Sequence, residues 1–517
     1  MASLLRIINR NRIRHECAKF ARLCSTTNFS TIFSLSSGQG KCGVAVIRVS
    51  GPESKNVFKR ISNFADNDSI QPRFAYLRKL KHPHTNEYID RGLCLWFPGQ
   101  YSEHCYHFTF IYHHFAPGPR SFTGEDSCEF QVHGGLAVIA ALHDALNSMK
   151  GLTPAKPGEF TKRAFFAGKM DLTEVEGLAD LIHAETEVQR KQALIQADGV
   201  LSKLYEQWRQ KLIRCVAHLE ADTDFAEDQN IGSDTLTIIE KELKSLQTEV
   251  QAHLNDGRRG EILRHGVRTV IIGAPNVGKS SFMNKICRKP ISIVTDIAGT
   301  TRDVIESSFN VSGYPIVLAD TAGLRKNATD VVEIEGISRT RNRVECSDFV
   351  VVMMNAIDVC RAGCIDEYKE NYLKSMGLNE PSMRDKRVML VINKVDLLSE
   401  QDLATLKEND PGIAFISCKN DIGLTSAVSN MSHHLKELCG EPSSNSPNLS
   451  QHRHRHLLEE CVNCINEFSN SISNEYMDSA ISAQHLRSAI QCIGQISGQV
   501  STEEILDVIF RDFCIGK

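Results

Sequence analysis

Short, almost unbroken apolar runs recur through the middle of the chain. RTVII (Arg268 to Ile272), YPIVLA (from Tyr314), RVMLVI (from Arg387) and GIAFI (from Gly412) are five or six residues long. That is the length of a buried strand rather than a helix. Elsewhere the apolar period lengthens to that of a helix. SKLYEQWRQKLIRCVAHLEAD (from Ser202) is amphipathic, and helical patterns run to about residue 255. In LLEECVNCINEF, Leu457, Leu458, Cys461, Ile465 and Phe468 recur at helical spacing, which makes the Cys461/Cys464 pair packed thiols. GGLAVIAALHDAL (Gly134 to Leu146) reads as a buried helix and is too short to span a membrane. HRHRH (His452 to His456) reads as a solvated, partly basic helix start, with reach to an RNA phosphate. Near the end, STEEILDVIFRDF carries a Ser501/Glu504 capping box and an apolar stripe at Ile505, Val508, Ile509 and Phe513.

A length of 517 residues exceeds what one core supports, so three or four domains are expected. No run of 18 apolar residues occurs, which excludes a helical membrane span. The 17 cysteines are odd in number and scattered, as in a reducing compartment. The first 25 residues differ from the rest. Arg6, Arg10, Arg12, Arg14, Lys19 and Arg22 face one acid, Glu16, with apolar residues between them. This is the pattern of a mitochondrial presequence, and the matrix is the expected compartment. Cleavage near Cys24 moves the formal net charge from -4 to -9. An acidic mature chain meets RNA through local basic patches, not bulk charge.

The sharpest chemical signal follows RTVII. Gly273 to Ser280 fits G-x-x-x-x-G-K-[ST] between a strand and a helix. Glycines such as Gly278 let backbone N–H groups approach phosphates; Asn276, Val277 and Ser281 share the loop and helix start. Lys279 supplies charge at the β- and γ-phosphates, and Ser280 offers a hydroxyl to Mg2+. Asp320, Thr321, Ala322 and Gly323 (DTAG) follow a strand; Asp320 reaches Mg2+ through water and Gly323 the γ-phosphate. Asn393, Lys394 and Asp396 (in NKVD) follow another, and Asp396 accepts from guanine N1–H and its 2-amino group. Ser417, Cys418 and Lys419 add a donor to the guanine oxygen. Four motifs in this order specify a GTP-binding domain. The position after DTAG is Leu324, which cannot orient water as the glutamine of Ras-type enzymes does.

TDIAGTTRD, between these motifs, closely resembles the K-loop of the MnmE/TrmE family of tRNA-modification GTPases. The resemblance implies a K+ ion held by Asn276, Thr295, Ile297 and Thr300, with Asp296, Ala298 and Gly299 in the same nucleotide-binding loop. Thr301 matches the second Mg2+ ligand, and Glu333 aligns with the family's catalytic glutamate. STIFSLSSGQGKCGVAVIRVSGP and SFTGEDSCEFQVHGG resemble the family's N-terminal domain. Arg48, Glu129, Lys169 and Lys517 match contacts to a tetrahydrofolate derivative (5-formyl- or 5,10-methylene-). The implied fold is multidomain, α/β plus α-helical. It comprises the presequence (1–25), an α+β folate-binding and dimerisation domain (29–152), a helical domain (153–260 and 441–517) and an inserted Ras-like P-loop G domain (262–440). The 19 residues Gln100 to Gly118 interrupt the family pattern. Their length and Phe/Tyr-rich composition suit a retained intron translated in frame.

The implied activity is that of a K+-dependent GTPase acting with a GidA/MnmG-type FAD protein. As a homodimer it installs a carboxymethylaminomethyl or taurinomethyl group at C5 of the wobble uridine of mitochondrial tRNAs. The rivals are a mitochondrial ribosome-assembly GTPase that binds RNA without modifying it, and a membrane-remodelling GTPase. Cys514, in the terminal DFCIGK, matches the family's C-terminal cysteine beside the folate site, a place for modification chemistry rather than GTP hydrolysis. Gly516 and Lys517 make the stretch a poor prenylation signal.

Overall fold

A computed structural model describes residues 30–38, 40–65, 68–99, 121–225, 232–256, 258–287, 307–318, 341–375, 378, 383, 386–409, 412–445, 447–472, 479–500, 503–511 and 513–516. The chain divides into two compact units, residues 1–175 with 501–517, and 176–500.

The first unit is built on a six-stranded sheet. Its strands are β1 (Thr31–Leu35), β2 (Cys42–Ser50), β3 (Tyr76–Lys81), β4 (Tyr88–Phe97), β5 (Ser127–Gly134) and β6 (Leu152–Pro154), in the order β3-β4-β5-β2-β1-β6. Alternation sets the register: Ala45, Ile47 and Val49 on β2 are fully buried, while Arg48 between them faces the other way. Helices α1 (Ser54–Ile61), α2 (Leu136–Asn147) and α3 (Glu159–Phe166) belong to this unit. Phe58 of α1 and Leu142, Ala145 and Leu146 of α2 join the sheet core around Phe130. The GGLAVIAALHDAL segment is therefore a helix buried on one face only, since Leu136 at its start is 59% exposed. Phe97 pairs with Ser127, and Gly99 N–H donates to Asp126 Oδ1 at 2.7 Å, so β4 and β5 stay in register on either side of the 100–118 segment. That segment lies outside the described residues, as does the presequence.

The terminal helix, Glu503–Arg511, returns to this unit. Of the stripe read from the sequence, Phe513 is buried as expected, but Val508 is 59% exposed and Leu506 and Phe510 are the buried positions of the helix. Phe510 packs against Phe165 of α3 with tilted rings whose centroids are 6.2 Å apart, which makes Phe510 rather than Val508 face the unit.

Helix α4 (Leu172–His183) leads into the second unit, followed by α5 (Glu187–Ala197), α6 (Val200–Phe225), α7 (Gly232–Leu254) and α8 (Arg259–His265). The second sheet is β7 (Val267–Gly273), β8 (Ser307–Val311), β9 (Tyr314–Leu318), β10 (Phe349–Asn355), β11 (Arg387–Asn393) and β12 (Ala414–Ile416). Its order is β12-β11-β10-β7-β9-β8, parallel except for β8. Helices α9 (Lys279–Cys287), α10 (Ala356–Ala362), α11 (Ile365–Ser375), α12 (Glu400–Asn409) and α13 (Leu424–Cys439) join its strands or flank them. All four strands expected from apolar runs are present. The central β10 was signalled by no motif, yet Phe349 to Met354 are all buried on both faces. After α13 come α14 (His452–Ile472) and α15 (Ser479–Ser497), which pack with α6 and α7 around Tyr205, Trp208, Leu458, Cys461 and Ile493.

Candidate functional site

The phosphate loop leaves β7 at Gly273 and enters α9 at Lys279. Two residues make its tight path possible: Asn276 sits in the left-handed region at φ 59° and Gly278 at φ 104°. A Cβ at Gly278 would lie 2.2 Å from Asn393 Nδ2, so the contact requires glycine. Asn393, at the end of β11, links three motifs. Its Nδ2 donates to the Val277 carbonyl at 2.7 Å, and its Oδ1 accepts from Cys418 N–H at 3.1 Å. Ser417 Oγ donates to Asp396 Oδ1 at 2.6 Å, orienting the carboxylate that the guanine edge needs. The parallel register of β7, β10, β11 and β12 places these loops together at the C-terminal edge of the sheet, where doubly wound folds bind ligands.

Lys279 Nζ donates to the Gly273 and Ala274 carbonyls at 2.7 and 3.0 Å. Burial lowers its pKa, so bonding to the ammonium falls to these carbonyls and, with nucleotide present, to phosphate oxygens. Ser280, Ser281 and Lys419 are exposed. Lys285 and Asp421 form an ion pair at 2.5 Å that ties α9 to the loop after β12. Thr295 to Thr301, Asp320 to Gly323, Leu324 and Glu333 lie outside the described residues.

In the first unit, Arg48 and Glu129 face each other across β2 and β5, with Arg48 Nε donating to Glu129 Oε1 at 2.9 Å. The guanidinium also lies 5.1 Å from the Phe122 ring centroid and 5.7 Å from that of Phe160. Those two aromatics were not singled out in the sequence, although both lie inside the SFTGED and GEFTKR segments. Lys169 Nζ donates to the carbonyl of Ser121, next to Phe122. Burial, then Arg73, lowers the Lys169 pKa. Arg163, almost fully buried, fixes α3 by donating to both oxygens of Glu125 and to Glu159. Among the described residues the buried hydroxyls of Ser121 and Thr161 have no hydrogen-bond partner. A cation between two rings, a nearby lysine and orphaned buried hydroxyls suit a flat, polar, anionic ligand.

The C-terminus closes on the same unit. Ile515 bridges Pro157, and Ser36 Oγ donates to the Gly516 carbonyl at 2.9 Å. Gly516 has φ 96°, and a Cβ there would lie 2.0 Å from the Leu35 carbonyl oxygen. Leu35 neighbours Ser34, the β1 partner of Arg48, so the tail is anchored beside that cluster. Cys514 is exposed. Lys517 lies outside the described residues.

HRHRH is a solvated start only at His452 and His456, which are exposed. His454 is fully buried and shares Glu176 with Arg453: His454 Nε2 is 2.6 Å and Arg453 Nη2 2.9 Å from its oxygens. Burial alone would raise the Glu176 pKa, but His454 and Arg453 outweigh it and hold it below the usual carboxylate range. Arg455 reaches Glu261 of α8, Asp256 and the Leu254 carbonyl. Its arginines thus knit α4, α7 and α8 together. Farther along, Ser308 of β8 donates to Glu185, and Val188 N–H to the Gly313 carbonyl, which docks the β8–β9 hairpin on the start of α5. No helix among the described residues is long and apolar enough to cross a membrane.

A family model described as the MnmE helical domain matches residues 172–514. A second, the GTP-binding protein TrmE N-terminus, matches 31–110 and 110–169, its break falling inside the 100–118 segment. A zebrafish (Danio rerio) protein named 5-taurinomethyluridine-tRNA synthase subunit GTPB3, mitochondrial, is 45% identical over 496 residues, 94% of this chain and 93% of its own. The human (Homo sapiens) protein of that name is 44% identical over 488 residues, with the same coverage. A protein named tRNA modification GTPase MnmE, from Parvibaculum lavamentivorans, is 40% identical over 487 residues, 94% of this chain and all of its own.

Proposed function

This chain belongs to the MnmE/TrmE family of tRNA-modification GTPases, and on that premise we propose that it hydrolyses GTP in mitochondria to drive a C5 substitution of tRNA wobble uridines. The observation that carries this reading is the interlock of Asn393, Val277, Asp396, Ser417 and Cys418, a preassembled reader of guanine, in a chain similar to the relatives above along 94% of its length. The vertebrate relatives' names point to taurinomethyl as the substituent. They also favour modification over ribosome assembly.

Each described residue has a part. Asp396 selects guanine because adenine lacks the donors its carboxylate needs. Lys279 exchanges the Gly273 and Ala274 carbonyls for phosphate oxygens. Ser280 would hold Mg2+ with Thr301, and Asn276 would hold K+ with Thr295, Ile297 and Thr300; both cations neutralise charge developing on the phosphates. Asn276 is exposed in the phosphate loop, with its backbone at φ 59°, which supports that role. Glu333 would position the attacking water in place of the glutamine that Leu324 replaces.

Arg48, held by Glu129 and two aromatic rings, and Lys169 would hold a tetrahydrofolate derivative, which supplies a one-carbon unit. Cys514, on the anchored tail, would act in that chemistry beside Lys517. A flavoprotein partner of the GidA/MnmG type and a homodimer complete the reading. The test is nucleoside analysis of mitochondrial tRNA after depletion of the protein. Unchanged wobble uridines would refute tRNA modification, and equal GTP turnover in K+ and Na+ would refute the K+ assignment.

A further inference from the structure

Since Arg453 and Arg455 are consumed in internal ion pairs, any RNA-facing surface must lie elsewhere. Helix α6 supplies a candidate. Its buried residues, Leu201, Tyr205, Trp208, Leu212, Cys215 and Leu219, all face the bundle. On the opposite side Lys203, Gln207, Gln210 and Arg214 are each exposed and recur every three or four residues. Lys203 and Arg214 form no ion pair among the described residues. The acids beside them are already engaged: Glu206 with Arg209, Gln210 and Gln499, and Glu249 with Lys211 and Trp208. The side chains of Lys203, Gln207, Gln210 and Arg214 border a shallow, open hollow along this face of α6.

We infer that this face of α6 docks a double-stranded arm of an RNA through its phosphates and 2′-hydroxyls. Lys203 and Arg214 stand about 16 Å apart along a straight helix. Of the two glutamines between them, Gln207 can donate and accept, as a 2′-hydroxyl does, while Gln210, whose amide donates to Glu206, keeps its carbonyl oxygen as an acceptor. The stripe presents no aromatic or large aliphatic anchor, which a protein partner would need. A-form RNA suits such a surface, because its wide, shallow minor groove admits a helix and is read by shape and by backbone contacts. Two unpaired cations in a chain of net negative charge concentrate attraction for phosphate there. This surface rests on the tRNA reading above and names where that substrate lies against the helical bundle.

The test uses full-length protein carrying Lys203→Glu and Arg214→Glu together. Its binding to a fluorescein-labelled tRNA transcript, and to a plain 16-base-pair RNA duplex, is followed by anisotropy over a salt series. Reversal of two exposed charges on the G domain, Arg361→Glu with Lys407→Glu, is the matched control. The α6 variant should bind both RNAs at least tenfold more weakly and lose about two from the slope of log K against log salt. Its GTP turnover should match wild type, and the control should bind within about twofold of it. Equal weakening in both variants, or none in the α6 variant, overturns the surface. If the α6 variant loses binding while depletion leaves wobble uridines intact, the surface stands and the tRNA-modification reading falls; the converse result separates them the other way.

Discussion

Replacing Glu176 with alanine removes one carboxylate, leaves the Arg453 guanidinium to the Gln495 and Ile496 carbonyls, and strands a fully buried imidazole. Glu176 accepts from Arg453 at 2.9 Å and 3.2 Å and lies 2.6 Å from His454 Nε2, with the glutamate side chain only 6% exposed. Breaking such a buried cluster by deleting one partner costs about 3–5 kcal/mol. Glu176→Gln keeps an acceptor in place and removes only the charge, so it should cost about 2 kcal/mol. Urea unfolding followed by Trp208 fluorescence reads the effect, because Trp208 lies in the same bundle and Trp96 can be silenced as phenylalanine. With an m-value near 2.5 kcal/mol/M, the alanine variant should unfold at roughly 1.5 M less urea. The pH dependence follows from the depressed pKa. The stabilisation is fully present above the ordinary value of 4.5 and is lost as pH falls through the lower folded value, so wild type and Glu176→Ala should converge in acid. A shift below about 0.3 M, or a gap that persists in acid, would show that the cluster does not hold α4 to α14.

Asp396→Asn replaces an acceptor pair with a donor, so GTP affinity should fall at least tenfold while xanthosine triphosphate binding rises; equal losses for both nucleotides would contradict the assigned role. Gly516→Ala puts a methyl group against the Leu35 carbonyl and strains φ 96°; tRNA modification should drop with GTP turnover unchanged, and unaltered modification would remove the tail from the chemistry. Cys514→Ser should show the same split without any loss of stability, as measured by thermal melting. Burial pushes the His253 pKa down from 6.5 to about 4, so between those values the unfolded chain binds a proton that the folded bundle refuses. Stability should therefore fall by about 3 kcal/mol as pH drops from 6.5 to 4, and His253→Gln should flatten that slope in a melting series.

The guanine site was legible because its chemistry constrains sequence locally. Gly278, Lys279, Asn393 and Asp396 sit at fixed offsets from strand ends, and apolar runs mark those strands. The central strand β10 carries no ligand and so left no motif, though Phe349 to Met354 form as clear an apolar run as any. The α2 segment misled for another reason: small and aliphatic residues all round a helix do not say which face the sheet will cover, and Leu136 stays exposed. HRHRH misled because alternation around a helix fixes only angular separation. Burial of His454 depends on Glu176, 278 positions earlier, and no local pattern connects them. Phe122 and Phe160 were missed on the same ground, since they converge on Arg48 only through the β2–β5 pairing and the return of α3.

The Gly516–Ser36 contact spans 480 positions of sequence. At synthesis rates of about 5–20 residues per second, the ribosome needs roughly half a minute to a minute and a half to travel from one to the other. The unit that is made first is thus finished only after the whole second unit has been made, since residues 176–500 lie between its two pieces. A prematurely ended chain can still build a complete guanine-binding sheet, but its opening unit lacks the segment that covers the end of β1. Packing around β1 therefore depends on residues encoded 480 positions away, and a chain cut before Gly516 would leave Ser36 without that contact.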